Sequence, residues 1–329
     1  MKISKKTGIT IFLLVAAVMA GIIIFHHNPG ANPDEELTKK IVSCTVIAVS
    51  CIIFVKLYDK ITVLPVELFQ NRHLIWKLAK NDFKKRYAGS YLGAVWALAQ
   101  PVVTVLMYYI VFDKIMGSAN PRMSNGIEIP FVLFLTAGLV PWFYFSEALN
   151  HGTNALLEYN YLVKKVVFKI SILPIIKIIA ATFIHVFFVG ILLVVAIAYG
   201  YYPSVYTIQL LYYSLCLFIF VLALCYTTCA IVVFFKDLSQ IINIALQIGM
   251  WATPILWNLG DIKDSRIVSV LKLNPLVYIV NGYRSAIYEK EWFFQDFFST
   301  MYFWIVTVVL FGVGAIVFKR LKVHFADVL

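Results

Sequence analysis

Charge is scarce in this chain. Asp, Glu, Lys and Arg make up 14% of its 329 residues, against about 25% in a soluble globular domain. A composition so poor in charge excludes an ordinary cytoplasmic enzyme and a disordered chain. Cysteine is scarce as well. Cys44, Cys51, Cys216, Cys225 and Cys229 all fall in apolar runs, where a thiol is a small buried hydrophobe. That usage excludes a secreted disulfide scaffold, and no cysteine stands at zinc-ligand spacing from a histidine. Nucleotide-binding and hydrolytic signatures are missing too: there is no P-loop, no HExxH and no GxSxG.

Apolar residues are abundant instead, at 61%, with a mean hydropathy of +0.85. A helix needs about 20 such residues to cross a bilayer. Eight segments qualify or nearly do: 8–25, 41–58, 91–116, 130–150, 173–199, 207–235, 240–258 and 299–318. The first follows Lys2, Lys5 and Lys6 but outruns a signal-peptide core of about 7–15 residues. No small-x-small cleavage site follows it, so it reads as a retained helix. The chain carries 28 Lys and Arg against 17 Asp and Glu. With both termini inside, the inner segments hold 18 Lys and Arg and 6 Asp and Glu, and the outer ones 9 and 10. This bias follows the positive-inside rule and assigns an N-in, C-in orientation. The basic excess therefore belongs to a membrane protein facing lipid, not to a nucleic-acid binder.

Two segments are neither spans nor plain loops. In 66–86, Leu68, Phe69, Ile75, Trp76, Ala79 and Phe83 recur at helical spacing among Arg72, Lys77, Lys80, Lys84 and Lys85. The pattern predicts one basic amphipathic helix in the membrane surface. Within 260–296, residues 267–288 are apolar but interrupted by Asn274-Pro275 and Asn281-Gly282. Pro275 cannot continue a helical ladder and Gly282 suits a turn. Two short helices dipping into the outer leaflet, with Asn274, Pro275, Tyr283 and Arg284 at a gate-like mouth, are one reading. A surface loop is the other.

Groups fit for chemistry are few. His185 is the one histidine well inside a span and reads as a packing or hydrogen-bonding residue. His26-His27 is weak metal evidence. Glu147 and Lys177 sit near span ends; a paired role on a pathway is one reading, and anchoring by snorkelling is the expected one. Aromatic residues are plentiful at 16%. Tyr108, Tyr109, Trp142, Tyr144 and Trp251 fall at middle or outer span positions, where flat rings suit sugar faces and line a conduit. Interfacial belts and packing between helices are the alternatives.

The stretch Asn81–Pro101, NDFKKRYAGSYLGAVWALAQP, is the most informative. Asp82, Lys84, Arg86, Tyr87, Ser90, Leu92, Gly93, Trp96 and Pro101 match a D-x-K-x-R-Y-x-x-S-x-L-G-x-x-W…P pattern. This pattern resembles that of the type-2 ABC exporter permeases of polysaccharides, typified by teichoic-acid and O-antigen exporters. Further matches follow in order: Pro141-Trp142, Tyr161-Leu162-Val163-Lys164-Lys165 with Phe168 and Pro174, Phe235-Lys236-Asp237-Leu238, Asn274-Pro275 and Gly282-Tyr283-Arg284. The resemblance covers about residues 64–329.

The resemblance implies an all-α polytopic membrane protein in a bacterial cytoplasmic membrane. Its 61–329 portion would hold the interfacial helix and a six-helix core; the additional transmembrane hairpin over 1–60 departs from the family pattern, which begins at the interfacial helix. It further implies a homodimer around a conduit, paired with two copies of a separate cytoplasmic ATPase. That ATPase would bind the ATP and Mg; no cofactor is expected in this chain. Contacts to it would come from Asp82, Lys85 and Arg86, and from the 151–170 loop through Leu156, Leu157, Glu158 and Tyr161, with Thr153 capping a short coupling helix. The expected function is ATP-driven export of a lipid-linked cell-surface polysaccharide. An exporter of a drug or small lipid is the alternative within transport. A membrane acyl- or glycosyltransferase, the alternative from another class, needs an intramembrane His or carboxylate cluster that the sequence does not offer.

Overall fold

The computed structural model describes residues 5–25, 33–61, 63–86, 91, 93–117, 121, 128–164, 169–262 and 264–329. Lys2, His26, His27, Tyr87, Ser90, Leu92, Lys165 and Phe168 lie outside the described residues. What is described is helical, with no extended strand. Two compact units divide the chain at Gln70.

The first unit contains α1 (Lys5–Phe25), α2 (Pro33–Ile61) and α3 (Val63–Gln70). α1 and α2 pair antiparallel: Phe12 stacks on Phe54 at 3.9 Å, and Gly8 lies against the Tyr58 hydroxyl. These two helices occupy the segment where the hairpin is expected.

The second unit begins with α4 (Arg72–Arg86), α5 (Trp96–Tyr108) and α6 (Phe131–Thr153). Short α7 (Ala155–Glu158) and α8 (Asn160–Val163) lead to α9 (Leu173–Ala198), α10 (Gln209–Val232) and α11 (Leu238–Ala252). Then come α12 (Ser265–Leu271), α13 (Pro275–Arg284), α14 (Phe297–Leu321) and α15 (Phe325–Val328). The single helix expected over 66–86 is two helices, because Asn71 interrupts it. Asparagine favours helix ends, where its amide competes for backbone groups.

Described helices long and apolar enough to cross a membrane span Lys5–Phe25, Phe131–Thr153, Ile170–Ala198, Val205–Val232 and Phe297–Val328. Two of the predicted spans are shaped differently. The 91–116 segment passes from α5 into π-helical turns over Tyr109–Ile115. The 240–258 segment stops at Ala252, because Thr253 precedes Pro254 and is extended at ψ 137°. Proline disfavours the helical region for the residue before it. Fifteen residues of α11 rise only about 22 Å.

α6 is the axis of the second unit. Leu133, Leu135, Ala137 and Leu139 are fully buried, so it is enclosed on all sides. Pro141 sits inside it, tolerated where neighbouring helices cover the freed backbone. α9 runs antiparallel to α6, while α10 and α14 run parallel to it. The pairs Phe145–Phe220 and Phe220–Phe303 mark that alignment. Contacts are close where residues are small. A Cβ on Gly152 would stand 2.3 Å from Cys225 Sγ, and one on Gly282 would stand 2.1 Å from the Tyr213 ring. Gly282 thus lies inside α13 as a packing residue and does not form the expected turn. The two short helices of the interrupted segment are present as α12 and α13. Asn274 caps α13 by accepting the Leu276 N–H, with Pro275 in the first turn.

Candidate functional site

α4 buries the stripe Ile75, Ala79 and Asp82. Two members are apolar and the third is a carboxylate, so this face needs a cation opposite it. The cation is Lys177, one turn into α9 and 3% exposed. Its Nζ donates to Asp82 Oδ1 at 2.6 Å and to Glu158 Oε2 of α7. It also lies 4.7 Å from the centre of the Tyr159 ring. The Tyr159 hydroxyl donates to the same Asp82 oxygen at 2.6 Å. Arg86, one turn beyond Asp82, reaches Asp82 Oδ2 at 3.2 Å and Glu147 Oε1 of α6 at 3.0 Å. His151 Nδ1 stands 4.0 Å from Glu158 Oε1 at the edge. One connected set of charges therefore fastens α4, α6, α7 and α9 together.

This arrangement corrects the reading of Glu147 and Lys177 as snorkelling anchors. Both turn inward because Asp82 and Arg86 offer partners there. A charge inside an apolar span is the signal that pointed to them; their partners are far away in the chain.

Burial raises the Asp82 carboxyl, but hydrogen bonds from Lys177 and Tyr159 and the charges of Lys177 and Arg86 outweigh it and hold it below its usual value. For Glu158, burial is outweighed by His151 and Lys177, which bring it from 4.5 down to about 2. A carboxyl depressed on folding stabilises the fold fully above its unfolded value and loses that contribution as pH falls toward its folded one. The melting temperature of the purified protein is expected to stay level between about pH 7 and about pH 5. It should then fall between pH 4.5 and about 2. Glu158→Gln should shrink that acid-induced drop; an unchanged drop would contradict the assignment.

The segment after α6 also departs from expectation. Thr153 is the last residue of α6 and pairs with the Thr228 hydroxyl at 2.8 Å; it caps no coupling helix. Two short helices, α7 and α8, meet at Tyr159 instead of one. Leu156 is completely buried in this chain's own core, where the sequence reading has it docking into a partner. Leu157 is half-buried, while Lys85 and Tyr161 are exposed. A second, uncharged fastening lies close by. Asn150 Nδ2 donates to Asn243 Oδ1 at 2.7 Å, and Ser239 Oγ to Asn154 Oδ1 at 2.7 Å. The i,i+4 pairs Asn150/Asn154 and Ser239/Asn243 join α6 to α11, a match that sequence reasoning missed.

Farther along, Tyr283 is buried and its hydroxyl lies 2.6 Å from Ser214 Oγ and 2.9 Å from His185 Nε2. Tyr144 stacks on His185 at 4.4 Å and bonds Thr182. His185 is thus the hydrogen-bonding residue expected. Arg284, also buried, lies 3.6 Å from the centre of the Phe134 ring and donates to the Ile255 carbonyl at 3.1 Å. Tyr283 and Arg284 therefore point into the helix packing, while Asn274 donates to Thr253 Oγ1 at 2.9 Å.

The aromatic candidates separate in the same way. Trp142 is 5% exposed and packs over Gly249 of α11. Tyr108 and Tyr109 are half-buried where α5 gives way to its π-helical end. Trp251 is 63% exposed, in line with exposed Ile241, Ile244 and Ile248 of α11.

Comparison with known proteins identifies the family. Residues 73–288 match the model of the ABC-2 type transporter family. The O-antigen export system permease protein RfbA of Myxococcus xanthus is 32% identical over 262 residues, covering 79% of this chain and 97% of that one. The protein of the same name from Klebsiella pneumoniae is 25% identical over 78% of this chain and 95% of that one. The polysialic acid transport protein KpsM of Escherichia coli is 24% identical over 72% of this chain and 89% of that one. The charge-fastened helices α4, α6, α7 and α9 all lie in the matched region, and the chain belongs to the ABC-2 type transporter membrane family.

Proposed function

We propose that this chain is the multi-pass membrane subunit of an ATP-driven exporter that moves a cell-surface polysaccharide across the bacterial cytoplasmic membrane. The observation that carries this reading is the similarity to O-antigen export permeases over nearly their whole length and 78–79% of this chain, together with a charge-fastened corner suited to receiving force. The positive-inside bias supports a cytoplasmic position for that corner. There the exposed Lys85 and Tyr161 meet a separate ATPase that binds ATP and Mg. Movement of α7 and α8 passes to α4 and α9 through Glu158, Lys177 and Asp82 without desolvating a free charge. Two copies of the chain form the transporter. The exposed stripe of α11, with Trp251, and the half-buried Tyr108 and Tyr109 border the path of a lipid-linked polymer between them. Rings there offer shallow contacts that bind and release repeatedly.

The purified chain alone is expected to show no ATP hydrolysis, and to co-purify with an ATPase encoded beside it when the two are co-expressed. In the assembled complex, Trp251→Ala combined with Tyr109→Ala should reduce polymer at the cell surface while leaving ATPase association intact. Hydrolysis by the lone chain would overturn the subunit assignment. Full export by the double variant would overturn the path.

A further inference from the structure

At the end of the second unit opposite Lys177, α12, α13, the π-helical turn Ser285–Glu289 and the start of α14 surround a cleft of about 440 Å³. Small-molecule sites occupy about 300–1,000 Å³. Its walls combine two kinds of group. Trp292 and Tyr302 bring partly exposed rings, and Tyr302 is held by its hydroxyl on the Leu273 carbonyl at 2.6 Å. Asn281, Glu289 and Glu291 bring polar side chains. The Asn281 amide and the Glu291 carboxylate have no side-chain partner among the described residues. Glu289 accepts from Ser285 Oγ at 2.6 Å, and the chain turns away just after it at Lys290, at φ +59°. A π-helical turn at such a place is a frequent mark of a functional site.

Rings beside an open amide and an open carboxylate are the chemistry that recognises a sugar. Ring faces receive C–H groups, and carboxylates accept from neighbouring hydroxyls while an amide both donates and accepts. The charge is one-sided: Glu289, Glu291 and Asp296 line the cleft against Lys272 alone. Such a lining repels phosphate- or carboxylate-bearing chains.

We propose that this cleft is a binding site for uncharged sugar residues, taken by the polymer as it leaves the transporter. The role in export rests on the function proposed above; the sugar site itself rests on the cleft. It follows that the exported chain is neutral or positively charged where it meets this surface.

The test uses the full chain in nanodiscs and saturation-transfer NMR. The probes are a panel of neutral hexose and deoxyhexose hexasaccharides and, for contrast, hexasialic acid. At least one neutral hexasaccharide should bind. Trp292→Ala and Glu291→Ala should each weaken it about tenfold, with Trp292→Phe retaining most of the affinity. Hexasialic acid should bind at least about tenfold more weakly, and Glu291→Gln with Glu289→Gln should narrow that gap. No binding by the whole panel, unchanged binding by the variants, or equal binding of hexasialic acid would each overturn the site. A chelator that abolishes binding would also overturn it, by showing a metal site. Failure to associate with an ATPase would instead count against the exporter reading and leave this cleft untouched.

Discussion

Lys177→Met is expected to destabilise the folded chain by about 3–5 kcal/mol, a large part of the roughly 5–15 kcal/mol that holds a typical protein together. The substitution keeps the volume of the aliphatic stem but removes the ammonium. Asp82, 6% exposed, is then left buried with the Tyr159 hydroxyl and Arg86, and its strongest partner is gone. Lys177→Met with Asp82→Asn should recover much of the loss, because neither polar group then carries an uncompensated charge. Thermal melting of wild type, both single variants and the double variant in detergent forms a complete cycle. A coupling of at least about 1 kcal/mol is expected for residues in one network. Additive losses would mean that the two side chains do not depend on each other.

Gly282→Ala should also be damaging, though less so, from a single added methyl group. Its Cβ would stand 2.1 Å from the Tyr213 ring, and the ring cannot simply rotate away because it is buried at the edge of Tyr278, 5.3 Å between centres. Overpacking of this kind costs about 1–3 kcal/mol. α13 is expected to move off α10, separating Tyr283 from Ser214 and His185 in the next residue of the chain. Tyr213→Leu in the same chain should relieve the clash and restore the melting temperature in part. An unaltered melting temperature for Gly282→Ala alone would show that α13 does not sit this close.

Much of the fold was legible from spacing. The helices of 130–150, 173–199, 207–235 and 299–318 are set by long apolar runs, and the Asn274-Pro275 break by proline's missing donor. Less legible was where a helix stops short. Asn71 and Thr253-Pro254 act locally, and a window of average hydropathy passes over both. The charged corner was half visible. Asp82 and Arg86 stand in the Asn81–Pro101 motif, and Glu147 and Lys177 are unusual as charges in apolar runs, but pairing them requires knowing that α4 lies along α9. Residues 95 positions apart carry no mark of each other in a single sequence. The aromatic residues were the least legible. Tyr144, Trp142 and Trp251 look alike as letters, and only packing separates the two buried rings from the exposed one.

The two fastenings at the Lys177 end are of different kinds, with a practical consequence. The rack of Asn150, Asn154, Ser239 and Asn243 contains no titrating group, so its hydrogen bonds are expected to withstand acid and salt. The ion-paired side has carboxyls to neutralise and gives way when they take up protons. A brief acid exposure is therefore expected to loosen α4 and α7 selectively while the α6–α11 contact holds. Hydrogen exchange after such a pulse should light up one side of this end and leave the other dark.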